Sequence, residues 1–415
     1  MLLSPLKQTL FRLILIILML FKASMSGADN DADKVDFKKN NILGDGGGDR
    51  ALLYKKGVNL EAIYKLDVIA NTSGGIKTGA AVLDNLDLKL TLDGSKLYNV
   101  TGSKVFVYVL SNRGSKPNGK YVGSIQGVDN IEVIQPATRL YEAWISQDIV
   151  GGKVSLLAGL HDLNSEFYVT NSSLLFLGPN YGTGGEFSVT GKNGPSIFPT
   201  TSLAFRVKLQ PNPNFYFQAA IWDAVPGDPN KQGTHITLQR QDGALLIAES
   251  GWQLNNDKYA LGVWRYTPKF TDYSLPLVKK HNAGAYVSLE KQLYKKNDTT
   301  NIISFIRAGL ANQAVTPVHY AWSAGILYNG VVTGRDSSQL GLGISQLINS
   351  NSLRRSIANS GGSLKANETS FELTYSDSIR PGIAIQPDVQ YIIYPGSTPG
   401  TKNAFVLGGR LTLTF

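Results

Sequence analysis

The stretch VNLEAIYKLDVIAN, residues 58–71, alternates along its length, with Ile63 and Ile69 as the two apolar residues on the polar parity. Val58, Leu60, Ala62, Tyr64, Leu66, Val68 and Ala70 fall on one parity; Asn59, Glu61, Lys65, Asp67 and Asn71 fall on the other. A period of two sustained this long marks an extended strand with one apolar and one polar face. The following segment repeats it, with Val82, Leu86, Leu88, Leu90 and Leu92 against Asp87, Lys89, Thr91 and Asp93. So do Leu203, Phe205, Val207 and Leu209 against Arg206 and Lys208, and Phe215, Phe217, Ala219 and Ile221 against Tyr216, Gln218 and Trp222. Val318, Tyr320, Trp322, Ala324 and Ile326 oppose His319, Ser323 and Gly325 in the same way.

About sixteen such segments are expected, beginning near residues 57, 81, 104, 138, 152, 200, 214, 243, 257, 284, 300, 318, 338, 369, 382 and 402. Their length suits a tilted strand crossing a bilayer. The connections broadly alternate between short and long. Short ones fall near 148–152, 210–213, 254–257, 294–298 and 378–382; longer ones near 111–137, 161–200, 223–242, 267–282 and 349–369, with short exceptions near 311–317 and 395–401. A soluble sandwich has no reason to sort its loops by length, whereas outer-membrane barrels join strands by short periplasmic turns and longer extracellular loops. The fold expected is therefore all-β, a transmembrane antiparallel β-barrel of about sixteen strands; because barrels of this size commonly narrow their channel that way, an infolded third extracellular loop is expected as well. Phe405, Leu407, Gly409, Leu411, Leu413 and the terminal Phe415 share one parity, which is an apolar closing strand.

Composition agrees. The 415 residues hold 43 glycines, 17 prolines and 19 tyrosines, which suits many short strands and turns. Mean hydropathy is −0.08, too low for a bundle of membrane helices. The one continuous apolar run, Leu13 to Phe21, follows Lys7 and Arg12 and precedes Lys22 and the small residues Ala23, Ser24, Ser26, Gly27 and Ala28. That pattern is a secretory signal peptide over residues 1–28. Residues 29–56 are expected to form a polar, Gly-rich N-terminal periplasmic segment, and residues 57–415 the barrel. Cysteine is absent, which removes disulfides, thiol catalysis and thiolate metal sites together. The formal charge of +9 includes Lys7, Arg12 and Lys22, so the exported chain keeps a modest basic excess. Lys55-Lys56, Lys279-Lys280 and Lys295-Lys296 are isolated pairs, not the clustered cations of a nucleic-acid site.

In such a barrel the polar parity lines the lumen. Glu142 and Trp144 oppose Tyr141, Ala143 and Ile145; Arg206, Lys208, Tyr216, Trp222, Glu249, Trp264 and Glu290 take the inward parity of their own strands, as do Lys258, Tyr286, Ser288 and Arg410. Sixteen strands leave a channel at the centre. Charged groups hydrogen-bond sugar hydroxyls and aromatic faces cover pyranose C–H faces, so this mixture suits a carbohydrate. The third extracellular connection, His161 to Thr200, is the longest and carries His161, Asp162, Glu166 and Lys192, the candidates for a constriction.

At these residues the chain resembles the carbohydrate-selective porin family, often called OprB-type. Ala137 to Trp144, Gly159 to Phe167 and Gly194 to Leu203 are the most specific blocks; Gly44 to Gly57, Asn85 to Leu88 and Tyr121 to Gly127 also fit. Gly44-Asp45-Gly46-Gly47-Gly48 lacks the tryptophan of the family's first block. The resemblance implies a sixteen-stranded barrel passing small sugars by diffusion, with outer-membrane lipid around it. No cofactor, metal or nucleic acid is expected, and no parity break marks an oligomer interface.

An enzyme is not expected. His161, His235, His281 and His319 lack metal spacing, no G-x-S-x-G elbow occurs, and Glu142 and Glu166 as a glycosidase pair are no more distinctive than any two glutamates. Two rivals stay open: a general or anion-favouring diffusion porin, with Arg206 and Lys208 as steering groups, and a structural barrel with a closed lumen.

Overall fold

The computed structural model describes residues 37–415; the expected signal peptide lies outside the described residues. Sixteen strands form one closed sheet: β1 (Val58–Ser73), β2 (Gly79–Asp93), β3 (Ser103–Gly114), β4 (Ala137–Ile149), β5 (Val154–His161), β6 (Ser202–Asn212), β7 (Phe215–Asp223), β8 (Ala244–Leu254), β9 (Asp257–Thr271), β10 (Lys279–Lys295), β11 (Asn301–Ala311), β12 (Val318–Asn329), β13 (Gln339–Asn349), β14 (Asn367–Arg380), β15 (Ile383–Ile393) and β16 (Ala404–Thr414). Each pairs antiparallel with its sequence neighbours, and β1 closes on β16 from Ile63 opposite Thr414 to Ala70 opposite Leu407. Closure leaves no sheet edge, which is what a strand needs where no water can satisfy its backbone.

The connections sort by end. One end carries 94–102, 150–153, 213–214, 255–256, 296–300, 330–338 and 381–382; the other carries 115–136, 162–201, 224–243 and 350–366 along with the shorter 74–78, 272–278, 312–317 and 394–403. Residues 37–57 pack at the first end, where the Ile42 amide donates to the Thr414 carbonyl and Arg50 donates to the Leu60 carbonyl.

Outward and inward parities separate as expected along β1, where Val68 is exposed while Asp67, Ile69 and Asn71 are buried. The exposed apolar positions Val82, Leu261, Val263, Ile306 and Leu342 continue that outer face around the barrel.

Two expectations need correcting. The first concerns β4, where Tyr108 pairs with Glu142 but Val109 pairs with Leu140. Tyr141 is the extra residue of a β-bulge, and the bulge turns both Tyr141 and Glu142 inward. Tyr141 is buried and meets the Tyr108 ring edge-on at 5.1 Å, so it does not face lipid as simple alternation predicts. The second is the start of β10, at Lys279 and not near 284. The ends of β9 and β10 carry Lys269, Thr271, Lys279, Lys280 and His281. Strand pairing there outlasts the apolar alternation on which a sequence reading depends.

Nor is the interior an open tube. Phe167, Tyr168 and Phe187 from 162–201 pack with Trp222, Leu245, Ile247, Trp264, Tyr266 and Tyr286 of the wall. Val122, Val128 and Ile131 from 115–136 pack on Ile69, Leu83, Ile392, Ala404 and Val406 on another side.

Candidate functional site

Connections 115–136 and 162–201 have little regular structure, so their backbone amides need acceptors from elsewhere. Glutamates of the barrel wall supply them. Glu249 accepts from the Tyr168 amide (2.9 Å) as well as from Tyr216 and Tyr286 hydroxyls (2.8 and 2.7 Å) and Gln218. Glu290 accepts from the Ser172 amide and hydroxyl, and Glu372 from the amides of Leu177 and Gly178. Glu368 takes the Ser124 hydroxyl and the Ile125 and Gln126 amides. Arg307 answers from the wall as a donor, to the carbonyls of Asn180 (3.0 Å) and Gly182. Side-chain carboxyl groups of the wall, with the Arg307 and Arg410 guanidiniums as donors, thus hold both connections in place.

What they leave uncovered is a cavity of about 670 Å³, with Lys65, Asp87, Tyr108, Asp162, Phe198 and Arg410 among its lining. A second cavity of about 480 Å³, towards the short-turn end, is lined by Lys104, Trp144, Glu166, Arg206 and Lys208. Between them stands a polar cluster. Arg206 grips Glu166 with two hydrogen bonds of 2.7 Å. His161 Nδ1 lies 2.8 Å from Glu142 and its Nε2 3.5 Å from Glu166, while Trp144 Nε1 donates to Glu142 at 3.1 Å.

Burial alone would raise the Glu166 carboxyl, but hydrogen bonds from His161 and Arg206 hold it down at about 2. Asp162 behaves oppositely. Burial first, then the neighbouring Glu142 charge, pushes it up to about 7 against the pull of His161 and of the Asn164 amide. Glu166 therefore stays ionised well below neutral pH, whereas Asp162 changes charge near neutral pH.

On the adjoining strands β1 and β2, Lys65 lies 3.0 Å from Asp87, which also accepts from the Tyr108 hydroxyl at 2.7 Å. Arg410 is paired with Asp67 at 2.6 Å and donates to Asn130 of 115–136. Aromatic rings run along β3 and β4 from one cavity to the other. Tyr141 meets Tyr108, Tyr108 meets Phe106 edge-on at 6.3 Å, and Phe106 stacks on Trp144 at 5.0 Å.

Of the residues expected from sequence, Glu142, Trp144, His161, Asp162, Glu166 and Arg206 come together here, and Lys208 lines the same lower cavity under a cation–π contact with Tyr216. Trp222, Glu249, Trp264 and Glu290 also face inward, but 162–201 covers them; Tyr216 faces inward too and is buried with its hydroxyl on Glu249. Trp222 donates to the His161 carbonyl, and Trp264 stacks on Phe187. Lys192 lies apart, in a small cavity shared with 224–243. The sequence reading missed Lys65, Asp87, Phe106, Tyr108 and Tyr141 as site residues. Parity alone directs Lys65 and Asp87 inward, yet nothing local says that the connections leave their stretch of wall bare.

Residues 77–415 match the family described as "Carbohydrate-selective porin, OprB family". Porin B of Pseudomonas aeruginosa is 24% identical, over 90% of this chain and 91% of its own length. The solved high-pH structure of Pseudomonas putida OprB superposes with a TM-score of 0.81 at 20% identity, covering 91% of this chain and all of that one. The outer membrane channel DcaP of Acinetobacter baumannii shares the fold more loosely, with a TM-score of 0.54 at 11% identity over 86% of this chain and 97% of its own.

Proposed function

The chain belongs to the carbohydrate-selective porin family, and from that premise we propose that small sugars diffuse passively along its aromatic β3–β4 wall, past a constriction formed by 162–201. The protein is an outer-membrane channel and not an enzyme. One observation carries the sugar reading. The ring series Tyr141, Tyr108, Phe106 and Trp144 links the two cavities, with ionised groups on both sides of it.

A pyranose has an apolar C–H face and a hydroxyl edge. Stacked rings meet the first, and charged groups such as Lys65, Asp87, Glu166 and Arg206 meet the second. Moving along a series of rings, the sugar exchanges one aromatic contact for the next without full rehydration between them. Each contact has to stay weak enough to be left. The larger cavity is within the range of about 300–1,000 Å³ that accommodates small organic ligands.

The test is single-channel current in a planar bilayer with glucose added on one side. Sugar-dependent interruption of the current is expected, and Trp144→Ala should raise the half-blocking concentration about fivefold, the loss of roughly 1 kcal/mol of ring contact. Strong anion preference with no sugar block would instead support the general or anion-favouring channel.

A further inference from the structure

β9 and β10 outreach their neighbours. β9 pairs with β8 only as far as Tyr266, and β10 pairs with β11 only as far as Gly284. Beyond those points the two strands pair with each other alone, up to Thr271 opposite Lys279. This ribbon stands at the end that carries the long connections, the extracellular end of a barrel of this kind.

Its outward face is fixed by parity. Trp264 and Tyr266 are buried inward, and Phe270 packs edge-on against Tyr266. Arg265 and Lys269 therefore point outward, joined across the ladder by Lys279 and by His281, which pairs with Lys269. Arg265, Lys269 and Lys279 are exposed. Among the described residues none of these three has a carboxylate partner; the one acid of the ribbon, Asp272, is taken by Lys280 at 2.8 Å.

Directly below on the same face are Leu261 and Val263 of β9 and Val287 and Leu289 of β10, all exposed apolar side chains of the lipid-facing surface. The cations begin where that apolar surface ends, at the depth of the lipid headgroups. Lys269 and Lys279 lie diagonally across the ladder with no anion between them and repel one another; Arg265 continues the same face towards the apolar surface below. Arginine also offers the planar fork that matches phosphate oxygens.

We propose that the outward face of the β9–β10 ribbon, through Arg265, Lys269 and Lys279, binds phosphate groups on the headgroups of outer-leaflet lipid. The apolar side chains beneath take the acyl chains of the same molecule, so the site distinguishes a phosphorylated lipid from free phosphate. It lies on the outside of the barrel and is independent of what passes through the lumen.

The test uses the purified full chain in detergent, with rough-type lipopolysaccharide as probe, its enzymatically dephosphorylated form as comparison and inorganic phosphate as competitor. The wild type should bind the phosphorylated lipid about tenfold or more tightly than the dephosphorylated one. The variant Arg265→Ser/Lys269→Ser/Lys279→Ser should lose that difference while keeping wild-type conductance, and Lys291→Ser, which removes an exposed cation low on β10, should keep it. Equal wild-type affinity for the two lipids overturns the proposal, and so does a triple variant that still discriminates between them. Full displacement by millimolar phosphate would make this a free-anion site. Dissociation of an oligomer in the triple variant would make it an interface between copies.

Discussion

Replacing Glu166 by Gln removes one negative charge from the constriction and little volume. In the native cluster Arg206 is neutralised by the two 2.7 Å hydrogen bonds from its guanidinium to Glu166. Glutamine accepts at most one of them and carries no charge, so a net positive charge faces the lower cavity that both residues line. A unit charge about 6 Å from the path of a hydrated ion contributes about 0.7 kcal/mol in a water-like medium, and more where the lumen narrows. That is about threefold for each sign of ion, hence about tenfold in the anion-to-cation permeability ratio. The assay is the reversal potential across a planar bilayer under a potassium chloride gradient. Total salt should stay near 0.1 M, where the screening length of about 10 Å leaves the effect visible. The variant should shift towards anions about tenfold, and Glu166→Gln/Arg206→Gln should return most of the way. A folded Glu166→Gln channel whose ratio changes by less than a factor of about two would refute the reasoning, because Arg206 would then not face the ion path.

The acid limit of the same pair follows from its sign. The folded-state Glu166 value of about 2 lies below its unfolded one, so its stabilising contribution is complete above the unfolded value and is lost as pH falls through about 2. Asp162, raised to about 7, gains charge as pH rises through neutrality. Cation preference should therefore increase between pH 6 and 8, and Asp162→Asn should flatten that profile in reversal-potential measurements. Glu249→Leu abandons the Tyr168 amide and two tyrosine hydroxyls. Leaving a buried donor unpaired costs about 1–3 kcal/mol, so amide exchange at 167–169 should accelerate by one to two orders of magnitude and open-channel noise should rise. The barrel's melting temperature should stay close to that of the wild type, since no ladder hydrogen bond is lost. Unchanged exchange in that connection would mean that Glu249 does not hold it.

Most of the wall was legible in the sequence. Fifteen of the sixteen expected starts fall within about two residues of the observed strands, because alternation is a local property that the two environments, lipid and lumen, enforce on every strand. It failed where one of those environments ends. At the β9–β10 ribbon the outer face has left the lipid, so polar residues occupy a paired strand and the apolar signal stops short of it. At β4 the inserted Tyr141 shifts the parity by one, and a bulge leaves no mark in a single sequence when both flanking residues are compatible with either face.

The strands and the inward set that includes Glu142, Trp144, Arg206, Glu249 and Glu290 were determined by the sequence itself, since each depends on neighbours one or two positions away. Only the tertiary structure decided which inward side chains meet open water. Glu249 and Glu142 share an inward parity, yet the first is covered by the amide of Tyr168, 81 positions away, and the second stands at the cavity edge beside His161. Glu368 likewise is occupied by Ser124, 244 positions away. Such contacts rest on where two irregular connections settle inside a closed wall, and no periodicity along the chain encodes that placement. Lys65, Asp87, Tyr108 and Phe106 line the site because the connections are anchored elsewhere and leave that stretch of wall uncovered.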